Sequence, residues 1–180
     1  MKLIILDRDG VINEDSDDYI KSTEEFIPIE GSLEAIARLN QSGYSIAIAT
    51  NQSGISRGFF DLNILNSMHE KLRRLLAPFG GHIDAIFFCP HSPEDKCQCR
   101  KPKIGMFQEI KHRFDIELYD VFAVGDSLRD LQAAQAAGAN PVLVKTGKGA
   151  RTLANGEDID DIPVFANLAA FVDELLMHEI

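Results

Sequence analysis

The 180-residue sequence lacks long apolar segments, has only three cysteines, and carries no surplus of basic residues. No apolar run approaches the roughly 20 residues that span a bilayer, so we expect no membrane partner. The N-terminal apolar run is shorter than a signal-peptide core of about 7–15 residues, which favours a cytoplasmic protein with reduced thiols. The net charge of −10 and the lack of an aromatic stacking stripe disfavour nucleic acid as a partner. We expect a monomer.

What the sequence contains is a regular alternation of strand and helix patterns. Five apolar, β-branched segments predict buried strands at 2–7, 44–50, 82–88, 120–126 and 140–146. Helical spacing of apolar residues lies between them, and Ser32 is predicted to cap the first helix. This order predicts an α/β fold, a doubly wound and mostly parallel sheet of five or more strands with helices on both faces. We expect a single domain, 1–180, essentially without a cap, with a flap at 13–31 and an irregular segment at 145–163.

Polar residues follow the predicted strands and should meet at one edge of the sheet, where open parallel sheets bind ligands. Asp7 ends the first predicted strand and Asp9 lies two residues beyond it, while Thr50 ends the second strand and Asp126 the fourth. Neighbouring carboxylates repel one another unless a cation lies between them. Oxygen ligands beside a phosphate are what Mg²⁺ prefers, and Lys101 would add a positive charge there. The alternative is that these acids only cap turns.

All three cysteines lie within eleven residues, in the segment "CPHSPEDKCQC". Cys89, His91, Cys97 and Cys99 are four soft ligands, the set of a closed structural zinc site. A redox pair is disfavoured because no C-x-x-C occurs, and incidental cysteines remain an alternative. Zinc would hold the loop 89–103 in place and thereby fix the positions of Arg100 and Lys101.

Four ordered motifs, "LDRDG", "ATNQSG", "RKP" and "GDSLRD", resemble those of the haloacid dehalogenase-like phosphatases over nearly the whole chain. The resemblance implies that Asp7 is the nucleophile that forms an aspartyl-phosphate, and that Asp9 is the general acid and base. It implies that Thr50 and Lys101 stabilise the transferred phosphoryl group. Val11 stands where the family often has Thr, which we expect to remove one local hydrogen bond. The implied magnesium ligands are Asp7, the backbone carbonyl of Asp9, and Asp126.

The cysteine loop together with "LDRDGVIN" and "TNQSGISRGFF" resembles one branch of that superfamily, the D,D-heptose 1,7-bisphosphate phosphatases. The resemblance implies hydrolysis of the C7 phosphate of the sugar during heptose biosynthesis for surface polysaccharide. Histidinol-phosphate phosphatases are the nearest alternative, but Ser53, Gly54 and Arg57 favour the heptose branch. A DNA 3′-phosphatase and a non-catalytic zinc module are further alternatives, and the preferred anomer is open. The implied substrate-binding residues are Asn13, Asp15, Tyr19, Asn51, Gln52, Ser53, Arg57, Arg100 and Ser127.

Overall fold

The computed structural model describes residues 1–156 and 158–178, and its six strands form one parallel sheet in the order β3-β2-β1-β4-β5-β6. The predicted α/β fold is confirmed. The strands are β1 (Lys2–Leu6), β2 (Tyr44–Asn51), β3 (Ala85–Cys89), β4 (Phe122–Gly125), β5 (Asn140–Val144) and β6 (Val164–Phe165). The helices are α1 (Ser32–Gln41), α2 (Leu62–Leu76), α3 (Gly105–Phe114), α4 (Leu128–Ala136), α5 (Gly149–Ala154) and α6 (Leu168–Met177).

Helices cover both faces of the sheet because its strands are apolar on both sides. Along β1, Ile4 and Leu6 pack into a core that includes residues of α1, α2 and α6. Leu3 and Ile5 point to the opposite face and pack with residues of α3 and α4. Successive side chains of a strand alternate between faces, so a strand buried on both sides is a continuous apolar run. No helix among the described residues is both long and apolar enough to cross a bilayer.

The prediction that Ser32 caps the first helix is wrong. Gly31 occupies the N-cap position with a φ of 85°, and Ser32 is the first helical residue. The Ser32 hydroxyl instead donates to the backbone carbonyl of Val11 at 2.8 Å. Glycine adopts a left-handed φ easily, which suits Gly31 to the N-cap position. The hydrogen bond of Ser32 ties the start of α1 to the loop after β1.

The sequence pattern does not predict two short elements. Helix α5 lies inside the segment 145–163, and β6 follows directly after it. A six-residue helix and a two-residue strand are too short to show a hydrophobic period. Strands β3 and β4 also begin later than predicted, at Ala85 and Phe122.

The strand order places a crevice between β1 and β4. From β1 the chain proceeds outward through β2 and β3, and it then crosses to β4 and proceeds outward in the other direction. The helices that follow neighbouring strands at such a reversal diverge and leave space at the carboxyl ends. Asp7 follows β1 and Asp126 follows β4, so both flank this space.

Candidate active site

A cavity of about 360 Å³ opens at the carboxyl ends of the central strands. Asn13 and Thr50 are buried and do not line it. The remaining residues that the sequence assigns to catalysis, to the substrate or to magnesium are brought together on its wall: Asp7, Asp9, Asp15, Tyr19, Asn51, Gln52, Ser53, Arg57, Arg100, Lys101, Asp126 and Ser127.

The ammonium group of Lys101 lies at the floor of the cavity, and its side chain is only 3% exposed. Its Nζ donates to the backbone carbonyl of Ala49 at 2.7 Å and to Asp7 Oδ1 at 3.1 Å. It also forms an ion pair with Asp130 Oδ1 at 2.6 Å. Burial alone would lower the pKa of Lys101, but the carboxylates of Asp130 and Asp7 raise it above its usual range. Lys101 is therefore a permanent positive charge beside Asp7.

Two carboxyl groups of the cavity are poorly compensated in the protein alone. Burial, reinforced by the charge of Asp130, raises the pKa of Asp7 to about 7 despite the nearby Lys101. Burial and the charge of Asp7 raise the pKa of Asp126 to about 9, although the backbone N–H of Lys148 donates to its Oδ2 at 2.8 Å. A cation bound beside these two carboxyl groups would lower their pKa values and stabilise their ionised forms.

Asp7, Asp126 and Asp130 offer carboxylate oxygens that all lie within 4.8 Å of one another. Both Asp130 oxygens already have partners, because Oδ1 pairs with Lys101 and Oδ2 accepts from the Asp126 and Ser127 backbone N–H groups and from the Ser127 hydroxyl. Asp130 thus caps α4, while Asp7 and Asp126 present oxygens for a metal ion. A hard divalent cation suits such ligands.

Asp9 lies in a different electrostatic environment. Its Oδ1 accepts from Arg8 Nη2 and from Asn13 Nδ2, each at 2.8 Å, and its Oδ2 accepts from Gln52 Nε2 at 3.0 Å. Burial opposes ionisation, but the charge of Arg8 and these hydrogen bonds lower the pKa of Asp9 below its usual range. The resting carboxyl is therefore ionised and held by three side chains.

The glycine after Asp9 is required by the close approach of two loops. Gly10 has a φ of 87°, and a Cβ there would lie 2.0 Å from Asp126 Oδ2. The loop after β5 lies against the same point, since Thr146 Oγ1 donates to the carbonyl of Gly10 at 2.7 Å. Any larger residue at position 10 would displace the Asp126 carboxyl.

The residues at the end of β2 have structural partners that the sequence did not indicate. Asn51 holds the backbone of Lys101 through two hydrogen bonds, with its Oδ1 accepting at 3.0 Å and its Nδ2 donating at 3.1 Å. Gln52 Nε2 also donates to Thr50 Oγ1 at 2.8 Å. Asn51 therefore fixes the loop that carries the buried lysine.

Several cavity residues were not found from the sequence. Arg129 and Lys148 bring additional positive charge to the cavity wall, and Asp17 lies beside the predicted Asp15. Lys148 Nζ pairs with Asp15 Oδ2 at 3.5 Å, which connects the segment 13–31 to the loop after β5. The one sequence signal for Arg129 is its position two residues after Ser127 in the motif "GDSLRD".

The four soft ligands of the cysteine loop form one cluster. Cys89, His91, Cys97 and Cys99 each offer an atom within 4.8 Å of the others, and the three cysteines are free. The Cys89–Cys97 and Cys89–His91 ligand atoms are 3.6 and 3.5 Å apart, and those of His91 and Cys99 are 3.3 Å apart. Bonds of about 2.0–2.3 Å in a tetrahedron give edges of roughly 3.3–3.8 Å. These three separations lie in that range, whereas the Cys89 and Cys99 sulfur atoms are 3.0 Å apart and would have to move apart on binding. The donor set is that of a four-coordinate metal.

The cluster is joined directly to the basic loop. The backbone N–H of Arg100 donates to Cys97 Sγ at 3.4 Å. Burial opposes ionisation of Cys97, but this hydrogen bond and those of the neighbouring thiols lower its pKa to about 6. A thiolate is the form that binds metal.

Comparisons with known proteins agree with this geometry. A HAD-hydrolase-like family model matches residues 98–171. The D-glycero-beta-D-manno-heptose-1,7-bisphosphate 7-phosphatase of Bordetella bronchiseptica is 56% identical over 99% of each chain, and that of Pseudomonas aeruginosa is 54% identical over 97% of each. A crystal structure of the B. bronchiseptica D,D-heptose 1,7-bisphosphate phosphatase, complexed with magnesium and phosphate, superposes with a TM-score of 0.97 at 55% identity over 99% of each chain.

The fold and the convergent acids and lysine define a HAD-like hydrolase. Within that class, the chain belongs to the family of the D-glycero-beta-D-manno-heptose-1,7-bisphosphate 7-phosphatases.

The raised carboxyl pKa values predict how stability depends on pH in the absence of divalent cations. Asp7 and Asp126 bind a proton more tightly in the folded protein, with pKa values of about 7 and 9, than at the ordinary value of 3.8. Their contribution is complete below about pH 4 and is lost as the pH rises through 7 and 9. We expect the thermal midpoint to fall between pH 5 and 9, and to fall less in Asp126→Asn. Equal slopes in the two proteins would contradict this.

Proposed function

We propose that this protein hydrolyses the C7 phosphate of D-glycero-β-D-manno-heptose 1,7-bisphosphate in heptose biosynthesis for surface polysaccharide. The observation that carries the proposal is the convergence of Asp7, Lys101 and Asp126 on one cavity in a chain 56% identical to such a phosphatase. The relatives are named for the β anomer, which supports that anomer as the substrate.

In the first step, the Asp7 carboxylate attacks phosphorus, so that a bond forms between an Asp7 oxygen and phosphorus while the bond from phosphorus to O7 breaks. Asp9 donates a proton to O7, which leaves as the C7 hydroxyl of heptose 1-phosphate. The resting Asp9 is ionised. The arriving phosphate dianion raises its pKa, so that Asp9 takes up from solvent the proton that it then gives to O7. Lys101 orients Asp7 through Oδ1 and offsets the gathered negative charge.

In the second step, Asp9 accepts a proton from water, whose oxygen attacks the aspartyl-phosphate. The bond from phosphorus to Asp7 breaks, inorganic phosphate is released, and the Asp7 carboxylate is restored. Thr50 is buried and does not line the cavity, so we assign it a supporting role: its Oγ1 accepts from Gln52 Nε2, which also donates to Asp9.

Magnesium is the metal that we assign to the carboxylate pair. Asp7, Asp126 and the backbone carbonyl of Asp9 would hold it, and the fit is supported by the raised pKa values of both carboxyl groups. When bound, Mg²⁺ supplies positive charge that keeps Asp7 ionised and stabilises the phosphoryl oxygens. The magnesium and phosphate of the B. bronchiseptica structure support this choice.

Zinc is the metal that we assign to Cys89, His91, Cys97 and Cys99, because three thiolates and an imidazole leave no open coordination position. Its role is structural. It holds the loop 89–103 so that Arg100 and Lys101 reach the cavity from a fixed backbone. The long basic side chains then lose less conformational freedom when substrate binds.

The second phosphate of the substrate, on C1, is assigned to three arginines. Three arginines line the cavity: Arg57, Arg100 and Arg129. Burial lowers the pKa of Arg100, and the nearby positive charges of Arg129 and Arg57 lower it further. Within residues 1–156 and 158–178, none of the three guanidinium groups forms an ion pair with an acid. Unpaired guanidinium groups facing one another suit a phosphate dianion.

We further propose that residues 1–180 act as one cytoplasmic domain and as a monomer, without a cap. All six strands belong to one sheet, and the segment 13–31 contributes only loop residues to the cavity. Selectivity then depends on the loops rather than on closure of a second domain.

Release of phosphate should be measured across a panel with Mg²⁺: both anomers of heptose 1,7-bisphosphate, histidinol phosphate, fructose 1,6-bisphosphate and a DNA 3′-phosphate. We expect the β-heptose bisphosphate to give the highest kcat/KM. Asp7→Asn should reduce kcat by roughly 10³-fold or more because the nucleophile is lost. Asp120→Asn makes the same change at an exposed position and should leave kcat unchanged. Rapid turnover of histidinol phosphate, with the heptose bisphosphate untouched, would overturn the substrate assignment.

Cys97→Ser should lower the zinc content of the purified protein and reduce kcat/KM by about tenfold, because the basic loop loses its fixed position. The loss of activity should exceed the loss of thermal stability of the sheet. Glu94→Gln, an exposed change in the same loop, should keep both zinc and activity. Full activity in zinc-free protein would refute the structural role.

Arg129→Gln should raise KM for the bisphosphate by roughly 10-fold or more, since a charge-assisted hydrogen bond contributes about 1.5–3 kcal/mol. KM for heptose 7-phosphate, which lacks the C1 phosphate, should change little. Arg113→Gln on the exposed part of α3 is the matched control. An equal effect on both substrates would show that Arg129 does not contact the second phosphate.

A further inference from the structure

A buried guanidinium group lies directly beneath the reaction site. Arg8 stands between the nucleophile and the general acid in sequence, yet its side chain has no exposed surface and points away from the cavity. Its guanidinium carbon lies 5.4 Å from the ring centroid of the buried Phe26. A buried charge is stable only when its donors are matched to acceptors.

One side of this guanidinium group holds Asp9. Nε and Nη2 of Arg8 both donate to Asp9 Oδ1, at 3.1 and 2.8 Å. Because the guanidinium group is planar and rigid, its orientation decides where that oxygen lies. The other Asp9 oxygen faces Gln52 at 3.0 Å.

The other side of the guanidinium group faces helix α2. Nη1 lies 3.2 Å from Nε2 of His69, which is 4% exposed, and 3.6 Å from Met68 Sδ. Arginine has donors and no acceptor, so His69 Nε2 must be the acceptor. This contact requires a neutral imidazole with its proton on Nδ1. Burial, with the charges of Arg8 and Arg73, lowers the pKa of His69 to about 3, in agreement with the neutral form.

We propose that His69 is a positioning residue for the phosphatase reaction. Its neutral imidazole holds Arg8 in the orientation that places the Asp9 carboxyl within reach of the leaving oxygen. The inference rests on the proposed function, because it assigns His69 a part in the same proton transfer. His69 does not line the cavity, so it acts through Arg8.

The geometry explains why a histidine stands in an apolar helix face. His69 lies between Leu65 and Leu72 on the buried face of α2, where an aliphatic residue would fill the space equally well. An aliphatic side chain would leave Nη1 of Arg8 without its nitrogen acceptor and would allow the guanidinium group to rotate. Displacement of a catalytic group by about 1 Å can cost roughly 10²-fold in rate.

Substitution of His69 by each of two neutral amides distinguishes a positioning role from simple packing. Gln at position 69 can place an acceptor where Nε2 lies, whereas Asn is too short to reach. We expect His69→Asn to lower kcat for the β-heptose bisphosphate by about tenfold with KM within about twofold, and His69→Gln to keep kcat within about threefold. Leu72→Ala in the same helix should lower the thermal midpoint while leaving kcat unchanged.

Equal kcat in the Gln and Asn variants, whether high or low, would overturn the proposal. If the wild-type protein fails to release phosphate from the heptose bisphosphate, the proposed substrate is wrong, and the same variants are then compared with p-nitrophenyl phosphate. Crystal structures of the variants give an independent measure. The distance from Arg8 Nη2 to Asp9 Oδ1 should stay near 2.8 Å in the Gln variant and lengthen in the Asn variant; an unchanged distance in Asn would also overturn the proposal.

Discussion

The contact between the Lys101 ammonium group and its three oxygen partners is the interaction on which the site depends. Three carboxylates within 4.8 Å of one another would otherwise repel strongly in a buried setting. Lys101 pairs with Asp130 and Asp7 and is anchored by the Ala49 carbonyl of β2. Its charge is therefore shared between Asp7 and Asp130, the residue that caps α4.

The balance of buried charge indicates what a bound cation must supply. Asp7, Asp9, Asp126 and Asp130 carry four negative charges when ionised, and Arg8 and Lys101 carry two positive ones. Arg8 compensates Asp9 and Lys101 compensates mainly Asp130, whose pKa values are both lowered. The uncompensated pair is Asp7 and Asp126, whose pKa values are raised. The two uncompensated negative charges lie on oxygen ligands, and one divalent cation would neutralise both.

The sequence predicted the strand ends well because side chains that follow neighbouring parallel strands must meet at one edge. It failed where the outcome depends on geometry within a turn. Ser32 fits the N-cap pattern, yet the position is taken by Gly31, and the serine bonds across the loop to Val11. The partnership of Arg8 with His69 spans 61 positions in the sequence, and an isolated histidine in an apolar face gives no sign of it.

An acidic chain can select a doubly anionic sugar because binding depends on local rather than total charge. The loop 89–103 carries Arg100 and Lys101; the Cys/His cluster holds it before Arg100, and Asn51 holds it at the backbone of Lys101. Arg129 approaches from the first turn of α4, whose amino end is held by Asp130, the same residue that pairs with Lys101. The arginines on the cavity wall and Lys101 beside Asp7 thus share one framework. A change that loosens either the loop or the helix should therefore disturb the basic cavity wall and the environment of Asp7 together.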